Sequence, residues 1–180
     1  DGTDWTIFTP ITDKNLNAIC MLSDESGWAA GTEGSLLRYE SSTWSVMPVE
    51  DEQRAYNDIL AFAEDDVYLI GYSLLGGTTL EHWDGTALTE MHTFSDNLSD
   101  LDGTGPDDIW VAGGNGYIAN YNGTTWDTSL ANFTEPTKIF SMALKNDGYP
   151  ILTVAEGSGW DRDIVLEYLP DTGWIQQYEG

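Results

Sequence analysis

Asp107-Asp108-Ile109-Trp110-Val111-Ala112-Gly113, followed by Gly116-Tyr117-Ile118-Ala119-Asn120-Tyr121-Asn122-Gly123-Thr124-Thr125-Trp126, is the stretch that decides the fold. Its apolar runs are four to seven residues long, alternate in character and are bounded by Asp, Gly and Asn turn signals, as short antiparallel strands require. The same landmarks recur upstream as Gly27-Trp28-Ala29-Ala30-Gly31, Leu36-Leu37-Arg38-Tyr39 and Trp44. Between the two lies Asp65-Asp66-Val67-Tyr68-Leu69-Ile70-Gly71 with Leu80-Glu81-His82-Trp83-Asp84-Gly85-Thr86. A more diverged copy runs from Ile139 through Tyr149-Pro150-Ile151-Leu152-Thr153-Val154 to Gly173-Trp174.

The strand-closing glycine falls at Gly31, Gly71 and Gly113, and the residue after the last turn at Trp44, Leu88, Trp126 and Trp174. A period of about 40 to 48 residues, with four short strands per unit and no sustained helical periodicity, is that of a β-propeller blade. The sequence therefore predicts an all-β chain forming one propeller domain of four four-stranded blades, at roughly 9–48, 49–94, 95–134 and 135–180. Asp84-Gly85 and Asn122-Gly123 read as two-residue type I′ hairpins, which need positive φ at both central positions.

Residues 1–8 stand outside this arithmetic. Asp1-Gly2-Thr3-Asp4-Trp5 matches the turn before Trp126, so Trp5 and Ile7 are expected on a spare outer strand whose hairpin partner is missing. The last unit carries its own outer strand from Trp174 and Ile175. The spare strand either closes a four-bladed ring, belongs to a longer propeller, or pairs with another copy, since main-chain pairing at an edge leaves no side-chain motif. A chain that begins at Asp1 is expected to be a processed form or part of something longer.

The 180 residues include 31 acidic and 6 basic ones, a formal net charge of −25, with 8 Trp and 9 Tyr to fill a core. That aromatic content argues against disorder. So few Lys and Arg disfavour nucleic acid and anionic lipid as partners. No apolar run is long enough to insert in a membrane. No basic residue lies between Arg54 and Lys138, a stretch with 14 Asp and Glu, so the middle blades should be the more anionic side. The single cysteine, Cys20, excludes an internal disulfide and reads as a residue packed in a buried strand.

The units resemble the degenerate bacterial neuraminidase repeat, or Asp-box, propellers found on bacterial surfaces and in some photosystem assembly factors. That resemblance rests on Asp108-Ile109-Trp110-Val111-Ala112-Gly113 through Trp126 and on Gly27-Trp28-Ala29-Ala30-Gly31 through Trp44. The second unit departs with Leu88 in place of the closing Trp, and the fourth with Ala155 in place of the glycine. The resemblance implies a propeller fold at a bacterial surface and little about activity, because propellers host enzymes and scaffolds alike.

A sialidase-like glycosidase would need three arginines converging on a carboxylate, and the three present, Arg38, Arg54 and Arg162, fall in unrelated parts of their units. The two histidines, His82 and His92, have no nucleophile motif beside them. No catalytic residue is expected. Calcium is the one cofactor that the sequence offers, through Asp96, Asp100, Asp102, Asp107 and Asp108, although Asp pairs before a strand are also good turn formers. Trp28, Tyr68 and Trp110 are expected to pack between blades, while Trp160, in a Gly-rich loop, could stack on a sugar or a partner. Asn97, Asn122 and Asn132 stand in Asn-x-Ser/Thr triplets open to glycosylation. The expectation is a non-catalytic extracellular or cell-surface module that binds a protein partner or itself, through edge strands; the alternative is a carbohydrate-binding or glycoside-hydrolase-related propeller.

Overall fold

The computed structural model describes residues 9–49, 53–72, 77–130, 133, 137–157 and 162–179. The predicted spare strand with Trp5 and Ile7, together with Asn132 and Trp160, lies outside these residues. Among the described residues, sixteen strands form four separate antiparallel sheets, each in simple sequential order. The first holds β1 (Leu16–Ser23), β2 (Ser26–Gly31), β3 (Leu36–Glu40) and β4 (Thr43–Val46). The second holds β5 (Ala55–Ala63), β6 (Asp66–Tyr72), β7 (Thr78–Trp83) and β8 (Leu88–Phe94). The third holds β9 (Leu98–Gly105), β10 (Asp108–Gly113), β11 (Ile118–Tyr121) and β12 (Trp126–Asp127). The fourth holds β13 (Thr137–Leu144), β14 (Pro150–Glu156), β15 (Arg162–Leu169) and β16 (Gly173–Glu179). These are the four blades of a β-propeller; the only helical turn among the described residues is Gly114–Gly116.

Blades meet through their first strands, β1 with β5, β5 with β9 and β9 with β13, which therefore line the axis. Strand pairing fixes equivalent positions: Ile19 lies opposite Ala29, Ile59 opposite Leu69, Leu101 opposite Val111 and Met142 opposite Leu152. Because side chains alternate along a strand, each blade has one apolar face toward the preceding blade and one toward the next. Trp28 and Leu36 of blade 1 pack on Ile59 and Leu69 of blade 2. Tyr68 and Leu80 pack on Leu101 and Val111 of blade 3, and Trp110 and Ile118 on Met142 and Leu152 of blade 4. The predicted inter-blade aromatics are thus in place, with Trp28, Tyr68 and Trp110 at most 4% exposed. Cys20 is only half-buried on β1, and Leu16, Ile19 and Met21 of that strand are exposed, unlike the buried strand that its sequence implied.

The hairpins differ from expectation in an instructive way. Trp83 pairs with Leu88 and Tyr121 with Trp126, so Asp84-Gly85-Thr86-Ala87 and Asn122-Gly123-Thr124-Thr125 are four-residue loops. Only the glycines take positive φ there, 87° and 83°. The side chains of Asp84 and Asn122 accept the amides two and three residues on, an Asx turn that replaces the tight backbone turn. The two-residue turn with positive φ at both centres occurs instead at Ser41 and Ser42, where φ is 49° and 66°.

Candidate functional site

The inner strands carry a row of polar side chains that reach from one blade to the next. Asn17 Nδ2 donates to the Tyr56 carbonyl at 2.8 Å, Asn57 Nδ2 to the Leu98 carbonyl at 2.8 Å, and Ser99 Oγ to the Ile139 carbonyl at 3.4 Å. Beside them, Asp58 Oδ2 accepts the Leu101 amide at 2.8 Å, Asp100 Oδ2 the Met142 amide at 2.7 Å and Asp102 Oδ2 the Leu144 amide at 2.8 Å. An inner strand has a free edge whose amides need acceptors, and these carboxylates supply them. Burial, reinforced by the charge of Asp100, raises the Asp58 carboxyl to about 7.

A second row ties the turn before each second strand to the third strand. His82 Nε2 sits 2.7 Å from Asp66 Oδ1, with its ring stacked on Tyr68. At the same place in blade 3, Asp108 Oδ1 accepts from Asn120 Nδ2 at 2.8 Å and from Trp110 Nε1 at 3.0 Å. Arg38 fills this position in blade 1 and bonds across to Glu64 of blade 2 at 2.6 Å. In blade 4 it is Glu167, which receives Lys145 at 2.8 Å. The calcium candidates are therefore divided: Asp100 and Asp102 face the amides of blade 4, Asp108 is in this second row, and Asp107 lies against Gly123 in the neighbouring hairpin. Among the described residues no group of three His, Cys, Asp or Glu side chains is placed to hold a metal. His92 packs edge-on to Phe94 and near Trp126.

A groove of about 700 Å³ runs between the outer parts of blades 1 and 2, lined by Pro48, Val49, Trp83, Leu88, Glu90 and the Arg54–Glu81 pair among others. Arg54 Nε lies 3.1 Å from Glu81 Oε1, and Tyr56 Oη donates to Glu81 Oε2 at 2.9 Å. The sequence offered Arg54 only as one of three scattered arginines and did not reveal this buried pair, because nothing local to Arg54 marks a partner two strands further along the chain. The groove itself was signalled by Leu88, the residue that breaks the run of closing tryptophans.

Two further surfaces lie at the ends of the blade stack. Ile19 is 63% exposed, whereas its equivalents Ile59, Leu101 and Met142 are 5%, 5% and 6% exposed against the blade before them. On the last blade, Phe140, Thr153, Val165 and Tyr178 surround a shallow apolar cleft of about 200 Å³, with Phe140 50% and Tyr178 62% exposed. Val165 and Thr153 stand where Ile118 and Ala112 pack on blade 4, since each pair spans the second and third strands at the same register. Of the predicted assembly residues, Trp174 is engaged in the seam between blades 3 and 4, its Nε1 donating to the Leu130 carbonyl at 2.8 Å. Ile175 lies opposite Glu167 on the outer hairpin. Asn97 and Asn122 are exposed.

No family model and no curated protein matches the sequence. Among solved structures, YCF48 from Cyanidioschyzon merolae is similar, with TM-score 0.69 and 17% identity over 93% of this chain and 57% of that one. YCF48 bound to D1 peptide matches with TM-score 0.67 and 13% identity over 92% of this chain and 56% of that one. An oligogalacturonate lyase in complex with manganese matches with TM-score 0.62 and 10% identity over 89% and 52%. The chain spans little more than half of these proteins, and the likeness is one of fold.

Proposed function

We propose that this chain is a non-catalytic, protein-binding β-propeller module that works through the faces of blades 1 and 4 that are exposed among the described residues. The observation that carries this reading is the exposure of Ile19, 63% where the three equivalent residues are buried at 5–6%. Blade 1 presents the half of an inter-blade seam that receives a preceding blade, and blade 4 presents the half that receives a following one. Blade 1 of a second copy would therefore meet blade 4 through the same positions by which blade 4 meets blade 3. Two such contacts, related by a twofold axis, would use both faces of both copies.

This reading moves assembly from the edge strands to the faces. Side chains, not only main chain, then contribute, and apolar area supplies the driving force. A strongly acidic exterior fits an extracellular or cell-surface module, where solubility depends on charge. YCF48, solved with a D1 peptide, supplies a propeller of like fold that takes a protein segment, which favours a protein partner over a glycan. Methyl-detected NMR across a concentration series tests the reading. Ile19, Met21 and Val165 signals should shift together as concentration rises while those of Leu69 and Leu152 stay put; no concentration dependence at those three positions would overturn it.

A further inference from the structure

The geometry points to the groove between blades 1 and 2 as a socket for a tryptophan side chain of a cationic peptide segment, which deepens the protein-binding reading and rests on it. In the two following seams the equivalent space is filled by a tryptophan. Between blades 2 and 3, Trp126 packs on Phe94 at 5.1 Å and lies 5.7 Å from His92, both on the outer strand of the blade before it. Between blades 3 and 4, Trp174 packs on Phe133 at 5.6 Å and donates its indole N–H to the Leu130 carbonyl. In blade 2 this position is Leu88, which opens the third strand pair opposite Trp83 just as Trp126 stands opposite Tyr121. Among the described residues, the space that an indole occupies in two seams is here an open groove, floored by Leu88 and Trp83 and walled by Pro48 and Val49.

The acceptor for an indole N–H is also carried by the repeat. Leu130 lies four residues beyond Trp126, and Pro48 lies four beyond Trp44. Pro48 lines the groove at the repeat position that Leu130 holds in the seam between blades 3 and 4, which makes its carbonyl the candidate acceptor. The polar lining has two carboxylates, Glu81 and Glu90, against the single guanidinium of Arg54. The whole chain adds a net charge of −25, so an incoming indole is favoured when Lys or Arg flanks it.

The test uses two fluorescein-labelled peptides, Lys-Lys-Trp-Lys-Lys and Lys-Lys-Ala-Lys-Lys, titrated against the intact chain by anisotropy at physiological salt. The tryptophan peptide should bind at least tenfold more tightly, and its unlabelled form should move the Leu88 and Val49 methyl resonances. Leu88→Trp plugs the groove with the chain's own consensus residue and should weaken the tryptophan peptide tenfold or more, while Leu88→Met should leave it within about threefold. Ile19→Asp should leave peptide binding intact, so a failure of face-to-face assembly and a failure of this socket are told apart. Equal affinity for the two peptides, unmoved Leu88 and Val49 methyls, or a Leu88→Trp variant that binds as well as the parent would each overturn the proposal. So would a glycan that moves those methyls where the tryptophan peptide does not.

Discussion

Asp100 holds Met142 from the neighbouring blade, its Oδ2 accepting the Met142 amide at 2.7 Å across 42 residues of chain, while its Oδ1 accepts the amide of Leu101 in its own strand at 2.9 Å. Asp58 does the same one blade earlier, toward Ile59 and Leu101. Both inner-strand carboxylates thus act as mechanical ties between blades, and their closeness carries an electrostatic cost.

That cost sets a pH dependence. Asp58 titrates near 7 in the folded chain, against an ordinary 3.8, because burial and then Asp100 disfavour its charge. Between those values the folded state holds a proton that the unfolded state has released, so stability falls as pH rises through the window. The melting temperature should be lower at about pH 8 than at about pH 5, and Asp58→Asn should shrink the difference. An equal or larger difference in the variant would contradict the assignment.

Seam residues and open-face residues should differ sharply when truncated. Trp110 is 4% exposed between blades 3 and 4, and Trp110→Ala should cost about 3–5 kcal/mol. At about 2–4 °C per kcal/mol for a chain of this size, calorimetry should show a fall of roughly 6–20 °C. Phe140, 50% exposed on the bare face of blade 4, should change stability by no more than about 0.5 kcal/mol on Phe140→Ser in dilute solution.

Arg54 and Glu81 offer a test of the buried pair. Their side chains are 13% and 9% exposed, so Arg54→Met leaves a carboxylate buried without its cation. Urea denaturation should show a loss of about 3–5 kcal/mol, and adding Glu81→Met should restore most of it. A loss that persists in the double variant would mean that packing, not charge, dominates.

Much of the fold was legible in the sequence because the repeat states it four times. Strand-closing glycines have a steric cause: a Cβ on Gly113 would run into the Asn97 carbonyl of the linker entering the blade. Hence the landmark was reliable. The hairpin type was not legible from Asn122-Gly123, since the same dipeptide suits a tight type I′ turn and an Asx-capped longer loop; pairing of Tyr121 with Trp126 decides it. The Asp107-Asp108 pair looked like turn former or metal ligand, and one of them turns out to hold Trp110 and Asn120. The carboxylate ties and the Arg54–Glu81 pair join residues from different blades or distant strands, a relation that spacing within one blade does not encode. The exposed faces of blades 1 and 4 were not legible, because exposure depends on which blades are adjacent.

At the β3-equivalent hairpin of blade 3, Gly123 has φ 83° and a Cβ there would strike the Asp107 side chain. Gly123→Ala should therefore cost about 1–2 kcal/mol from backbone conformation, with a further loss from the contact. Chemical denaturation of Gly123→Ala alone and with Asp107→Ala separates the two: the second change should recover the contact part and leave the conformational part.

Sedimentation velocity of the chain and of Ile19→Asp, run over a wide concentration range, bears most directly on the claim that the bare blade faces are binding surfaces for a second copy. Face-to-face pairing should give a species of about 40 kDa, twice the 19.9 kDa chain, for the parent and a single chain-sized species for the variant. A chain-sized parent at every concentration, or a variant that dimerises as the parent does, would contradict it.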